Sequence, residues 1–374
     1  MRFSVSSSSL SNNLMSLAKV INSKNSLAIL ECILFDIRNG QLTMTASDSE
    51  NTMKTTMALE ECDGEAYVAI SSRKLLDAVR ELPEQPLTFE IDTTNYTVIV
   101  YYQNGQYNFI AENADTFPQD QPISEDSTLI TVGAPVLSNN ITRSIFATMQ
   151  DNLHPAMNGI YFDLTAEGLF IVATDGRKLV RNKILNIKSE TPASFILPKK
   201  PASLLKNVLP KDEGDVVIKF DTRSAIISYP GGTLTCRLID GRYPNYNSVI
   251  PKNNPNQIMV DRKTLLSALR RVLPFASESS QLIRFHIEMG KLEISSEDLD
   301  YATSAKESII CDYNGQPMSI GFKGGSFVEA LSNLESDEVL IELADPSRAG
   351  VIRPATQPDN EEVLMLIMPM LLND

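Results

Sequence analysis

The sequence predicts an α+β fold of three similar domains, each built from two β-α-β-β-β half-units with antiparallel sheets, six helices in all. Three observations predict it. The segments MRFSVSSSSLSNNLMSLAKVI (1–21), STLITVGAPVLSNNITRSIFA (127–147) and NQIMVDRKTLLSALRRVLPFA (256–276) begin alike, with a short β-like run and then a helix start followed by apolar residues at helical spacing. A second helical pattern recurs in each copy: Leu82 and Leu209 lie 127 residues apart, and Leu334 follows 125 later. Between the helices the pattern alternates, as in YTVIVYYQNGQYNFIAE (96–112), where Asn104-Gly105 signals a hairpin.

In the first copy Leu10, Leu14, Leu17 and Ile21 make one apolar stripe on a helix over 9–24. LTMTASDSENTM (42–53) then ends a strand in Ser-Asp, and ISSRKLLDAVRELP (70–83) carries the second helix, over 71–83. The second copy repeats the order with a helix over 135–149, LFIVATDGRKLV (169–180) and a helix over 199–209. In the third copy the elements are a helix over 262–273, LEISSEDLDYAT (292–303) and a helix over 323–335. Each copy closes on a hydrophobic residue before proline: Phe117-Pro118, Tyr243-Pro244 and Met368-Pro369. The expected domains are 1–121, 125–248 and 253–374, with joints rich in Pro, Asn, Gln and Asp. A period this long makes the copies domains, not stacked solenoid repeats.

The 374 residues are 43% hydrophobic and 21% charged, which suits a folded chain. The longest apolar run, Leu364–Leu372, is short and broken by proline, so no membrane span is expected. The opening residues do not read as a signal peptide. Cys32, Cys62, Cys236 and Cys311 are scattered, as reduced thiols of a cytoplasmic protein would be. His154 and His286 have no partner at metal-ligand spacing.

A net charge of −14 by itself argues against nucleic acid. Sorting the charges by element changes that reading. The six helical segments hold fourteen basic residues and four acidic ones, a surplus of +10, which leaves −24 for the rest. Cationic helices beside acidic sheets suit phosphate contacts without sequence preference, since no recognition helix or stacking platform is evident.

The stretch Ala173–Leu179, ATDGRKL, has the residue types of an active-site loop. Its counterparts are ASDSENT and SSEDLDY, so the shared part is a strand ending in Ser or Thr followed by an acid, as in a turn whose carboxylate caps backbone N–H groups. An enzyme acting on a phosphorylated substrate through Asp175, Arg177 and Lys178 is one alternative. It would have no general base nearby in sequence, no glycine-rich phosphate loop and no metal cluster. A repeat-built scaffold that binds only proteins is another.

The threefold repeat, the ATDG motif in the middle copy, Tyr243-Pro244-Asn245-Tyr246 and Met368-Pro369-Met370 together resemble the bacterial sliding clamps, the beta subunits of DNA polymerase III. The resemblance runs the length of the chain. It implies a non-catalytic processivity factor without cofactor or metal: a head-to-tail homodimer ring that encircles duplex DNA in the bacterial cytoplasm, associated with the nucleoid. Helices would line the central hole and sheets would lie outside. A clamp loader would open the ring, and polymerase and repair proteins carrying a Gln-x-x-Leu-Phe-like motif would dock on it.

Carried over by position, the family's partner-peptide pocket falls on Met157, Thr174, Gly176, Arg177, Lys178, Leu179, Pro244, Ser248, Val249, Leu366, Met368, Pro369 and Met370. In this reading Gly176 permits close approach and Leu179 supplies an apolar floor. DNA contacts fall on Lys24, Arg73, Lys74, Gln150, His154, Lys199, Lys200 and Arg270. The dimer seam falls on Tyr107 and Phe109 of one chain against Leu273 and Phe275 of the other. The family pattern has His-Arg where this chain has Arg177-Lys178, and Arg where it has Ser248.

Overall fold

The structure, a computed structural model, describes residues 1–22, 27–119, 122–151, 153–209 and 213–372, so Lys24 lies outside the described residues. Six α-helices occur among them: α1 (Ser7–Ala18), α2 (Ser72–Val79), α3 (Ala134–Ile145), α4 (Lys199–Val208), α5 (Arg262–Val272) and α6 (Gly324–Ser332). Each follows a strand directly, the six being Arg2–Ser6, Ala66–Ser71, Thr128–Gly133, Ala193–Pro198, Asn256–Asp261 and Met318–Lys323. Each is followed by three longer strands, with a short fourth one after α1 (Glu61–Asp63), α2 (Glu112–Asn113) and α6 (Pro369–Met370), which gives six β-α-β-β-β half-units in chain order.

Local chemistry sets the helix ends. Ser6 caps α1 by accepting from the backbone N–H of Ser9 (3.2 Å), so this helix starts two residues before the sequence pattern predicts. Asp261 caps α5 in the same way, accepting from Thr264 N–H (2.7 Å). Leu10, Leu14 and Leu17 are fully buried, each stabilising the fold by about 2 kcal/mol. The expected fourth stripe member, Ile21, lies past the end of α1, and Val20 is buried beside the stripe instead.

The helices are shorter than predicted, and the charge sorting changes with them. They carry ten basic and two acidic residues, a surplus of +8 rather than +10, which leaves −22 for the rest of the chain. Lys19, Arg80, Glu81, Lys323 and Glu335 fall beyond helix ends.

The chain forms two compact units, Met1–Ser138 with Lys200–Leu238, and Asn139–Lys199 with Ile239–Asp374. Neither coincides with a sequence repeat, because sheets run across the expected domain joints. In the first unit strand Asn51–Ala58 pairs with Gly232–Arg237 inside a nine-stranded sheet. In the second, Lys178–Ile184 pairs with Glu361–Ile367 inside an eight-stranded sheet. Each unit also has a five-stranded sheet. Every described strand pairing is antiparallel, as the hairpin signals predict. Aromatic pairs fill the interiors, with Phe3 and Phe89 stacked at 4.8 Å in the first unit and Phe322 and Phe327 at 4.8 Å in the second.

One device recurs in all six half-units. A turn between two strands is closed by an aspartate whose Oδ1 accepts backbone N–H groups: Asp48 from Asn51 (2.7 Å), Asp92 from Thr94 (2.8 Å), Asp175 from Lys178 (2.8 Å), Asp221 from Arg223 (2.7 Å), Asp298 from Asp300 (3.0 Å) and Asp345 from Ser347 (2.9 Å). In the third copy the cap is Asp298, one residue later than the Glu297 that sequence alignment selects.

Candidate functional site

The residues of the expected peptide pocket all belong to the second unit, and the eight-stranded sheet decides what each can do. Successive residues of a strand point to opposite faces. Strand Gly168–Thr174 pairs with Lys178–Ile184 (Ala173 opposite Val180, Thr174 opposite Leu179), and that strand pairs with Glu361–Ile367 (Leu179 opposite Leu366, Lys178 opposite Ile367). Ala173, Val180, Val363, Met365 and Ile367 therefore share one face, where they join the core that includes Leu269 of α5 and Phe327 of α6. Phe170, Val172, Leu179, Leu364 and Leu366 share the other, where they pack with Tyr243 and Tyr246.

That second face is covered by the segment after Ile239. Tyr243 stacks on Tyr161 at 4.6 Å and 3° between planes, and the Tyr246 hydroxyl donates to Asp163 Oδ2 at 2.9 Å. Burial pushes the phenols of Tyr243 and Tyr246 up, the Asp163 charge adding to the effect at Tyr246. Burial likewise raises the Asp163 carboxyl, the Tyr246 hydrogen bond only partly offsetting it. With the two tyrosines anchored, Pro244, Ser248 and Val249 are left exposed beside the end of the sheet. Neither tyrosine is among the predicted site residues, although Tyr-Pro-Asn-Tyr is part of the resemblance; their alternation with exposed residues was the available signal.

The turn Thr174–Lys178 would form one wall of the expected pocket. Asp175 Oδ1 accepts from Arg177 N–H (2.9 Å) and Lys178 N–H (2.8 Å), and Thr174 Oγ1 accepts from Gly176 N–H (3.1 Å). Gly176 has φ +83° and open space where a Cβ would stand, so the glycine serves the left-handed turn and not a tight contact within the chain. Leu179, expected as the apolar floor, is only 2% exposed, which places it beneath the surface.

The other wall would come from the chain after Ile367. Met368 N–H donates to Arg177 O at 2.8 Å, and Pro369–Met370 then joins the five-stranded sheet, opposite Phe322 and Gly321. A Cβ on Gly321 would stand 2.7 Å from Met370 O, so glycine is required for this approach. Met368 sits where the chain crosses between sheets, 41% exposed, near the level of Leu366 and Leu179. Met157 is half-buried and accepts from Met149 N–H through its carbonyl (2.8 Å).

Of the candidate DNA contacts, Arg73 and Lys74 are exposed on α2, Arg270 on α5, and Lys199 is half-exposed on α4. Gln150 and His154 flank Asp151, whose Oδ1 accepts from His154 N–H (3.3 Å). Lys200 stands apart. Its Nζ donates to Val20 O (2.6 Å), Asn22 Oδ1 (2.6 Å) and Asp48 Oδ2 (2.5 Å), which uses all three ammonium protons inside the first unit. The seam candidates fall on different elements. Tyr107 and Phe109 lie on Gly105–Ile110, the edge strand of a five-stranded sheet, with Tyr107 stacked on Tyr102 at 4.8 Å. Leu273 and Phe275 form the 3₁₀ turn after α5.

Among the described residues no group of three or more His, Cys, Asp or Glu is placed to hold a metal, and no helix is long and apolar enough to cross a membrane. The enzyme alternative assigned Asp175, Arg177 and Lys178 to chemistry, but the Asp175 carboxylate is taken up by the turn.

Paired β-α-β-β-β half-units, repeated three times with cations gathered on the helices, define the class of DNA-clamp folds. The DNA polymerase III beta subunit family models match the chain in order: the N-terminal domain over residues 1–120, the central domain over 131–245 and the C-terminal domain over 247–371. The chain belongs to this family, has its three-domain clamp fold and has a sliding-clamp role in DNA replication. It is 26% identical over 373 residues to the beta sliding clamp of Pseudomonas putida, covering 100% of both chains. Among solved structures, the Pseudomonas aeruginosa sliding clamp bound to griselimycin has a TM-score of 0.93 at 24% identity. The DNA polymerase III beta subunit of Thermotoga maritima has 0.89 at 25% identity. Both comparisons cover 100% of each chain.

Proposed function

We propose that two copies of this chain, head to tail, form a ring that encircles duplex DNA, tethers the replicative polymerase and confers processivity without catalysing a reaction. The observation that carries this reading is the segregation of charge, ten basic against two acidic residues on the helices of a chain with net charge −14. A closed ring needs no tight grip, so weak phosphate contacts suffice and permit sliding. The domains are taken as 1–121, 125–248 and 253–374. Arg73, Lys74, Lys199 and Arg270, with Gln150 and His154, are the proposed DNA contacts. Lys200 is left out because its ammonium is fully engaged. Tyr107 and Phe109 would meet Leu273 and Phe275 of a second copy, which would cover an aromatic edge strand.

Polymerase and repair proteins with a Gln-x-x-Leu-Phe-like motif would dock in the groove of Met157, Gly176, Arg177, Pro244, Val249, Met368 and Met370, a surface where flexible thioethers suit several partners. Griselimycin, to which the Pseudomonas aeruginosa sliding clamp is bound in its crystal structure, would bind this chain as well. A clamp loader would open the ring, and the setting is the bacterial cytoplasm. Negative-stain electron microscopy of the purified protein tests the assembly: rings with an open centre support it, and compact particles without a hole refute it. The double variant Met368→Ala, Met370→Ala is expected to lose Gln-x-x-Leu-Phe peptide binding while keeping its assembly state. Unchanged peptide affinity would remove the groove assignment.

A further inference from the structure

We propose that the first unit carries a second docking groove, built to hold an acidic peptide segment of a partner. It lies wholly within Met1–Ser138 and Lys200–Leu238, so the reading does not depend on what the second unit binds. The two units share one backbone plan here. In the second, Lys178 stands opposite Ile367, and Met368 N–H then donates to Arg177 O (2.8 Å). In the first, Asn51 stands opposite Cys236, and Arg237 N–H donates to Glu50 O (2.9 Å). Each turn is closed by its aspartate, Asp175 or Asp48. The chemistry differs: Arg237 stands where the second unit has Met368, and Glu50 where it has Arg177.

Beside the Asp48 turn is a cavity of about 510 Å³. Ser47, Thr52, Ser224 and Thr235 bring hydroxyl groups to its lining, and Arg223 and Arg237 bring two guanidinium groups. Ser47 is 1% exposed and hydrogen-bonded to Thr52 at 3.0 Å, which fixes that wall. Both arginines are held by the backbone and exposed at the side chain, Leu238 N–H donating to Arg223 O at 2.7 Å. The Asp221 carboxylate next to Arg223 is spent on the N–H groups of Ser124, Arg223 and Ser224. Arg237 faces Glu50 at 3.6 Å with side chains 70% and 58% exposed, a pairing that water screens and an incoming carboxylate can replace. Guanidinium forks take carboxylates in paired hydrogen bonds, and hydroxyl groups suit a peptide backbone. A peptide with two or three carboxylates presents charge at separate points, as the two arginines do. A nucleic acid would bring a continuous run of phosphates against Asp48, Glu50 and Asp221. Because the whole chain carries −14, attraction of an acidic peptide has to be local.

Fluorescence anisotropy on the full chain, with labelled Gly-Asp-Glu-Asp-Gly and Gly-Asn-Gln-Asn-Gly peptides, tests this. The acidic peptide is expected to bind about fivefold more tightly at low ionic strength. The double variant Arg223→Ala, Arg237→Ala should remove the difference and keep its thermal midpoint, since both side chains are exposed. Glu50→Gln, which takes away the internal competitor for Arg237, should tighten the acidic peptide. Equal binding of the two peptides, a preference that survives the double variant, or weaker binding in Glu50→Gln overturns the proposal. So does a single-stranded oligonucleotide that outbinds the acidic peptide and is lost in the double variant, because the site would then belong to phosphates.

Discussion

Lys200 illustrates how a residue's type misleads when its partners are unknown. In sequence it is one of two adjacent lysines opening α4, the natural candidate for a phosphate. In the fold it ties the end of the α1 segment, through Val20 and Asn22, to the Asp48 turn. The Asp48 side chain is only 3% exposed. Burial would raise its carboxyl, but hydrogen bonds from Lys200 and Asn51 outweigh this and hold it below the ordinary aspartate value. Lys200→Met should therefore destabilise the protein by about 2–4 kcal/mol, by leaving a buried carboxylate without its cation. For a carboxyl lowered on folding, the stabilisation is present above the ordinary value near pH 3.9 and is lost as pH falls through the lowered one. The difference between Lys200→Met and the unaltered chain should be widest at neutral pH and close below about pH 4, as read by denaturant unfolding at both. A difference that does not depend on pH would assign the effect to packing.

Among the elements, the strands after the aspartate turns carry most of the site. Half-unit order, helix positions and capped turns were legible in the sequence because they depend on local spacing. Leu10, Leu14 and Leu17 announce their helix, and Asp175 has visible counterparts. Which strands pair across the expected domain joints was not legible, since no local pattern encodes that Lys178–Ile184 lies beside Glu361–Ile367. For the same reason resemblance proposes a pocket but not the faces its residues take, and it groups Lys178 with Arg177. The short strand Pro369–Met370 offers a test at this scale. Gly321→Val puts a side chain where Met370 O already lies, which should displace that strand from Met318–Lys323. Peptide binding should fall at least tenfold while the thermal midpoint moves by only a few degrees. Retained binding would show that Met370 takes no part in the groove.

At the scale of the whole molecule, net charge is a poor guide to function and its distribution a better one. A net charge of −14 taken alone argues against DNA, and the sorted charges reverse that inference. The surplus on the helices is smaller than the sequence pattern suggested, and part of it is neutralised internally: Arg143 by the buried Glu361 (2.7 Å), Arg271 by Glu307 (2.5 Å), and Lys200 by Asp48. DNA contact should accordingly be weak and carried by few side chains. Replacing Arg73, Lys74 and Lys199 together by Glu should shorten retention on nicked circular DNA. It should also lower the log–log salt dependence by up to about 3. Retention and salt slope equal to those of the unaltered chain would mean that phosphate contacts lie elsewhere.

The pairing of Lys178–Ile184 with Glu361–Ile367 also bears on how the protein is made. During synthesis the first of these strands leaves the ribosome long before the second exists, and until then it is an uncovered sheet edge of the kind that invites aggregation. A chain that has not yet made residues 361–367 leaves that edge without its partner strand. In the function proposed above, a chain stalled before residue 361 would lack the strand beside the proposed groove and would not hold a partner there.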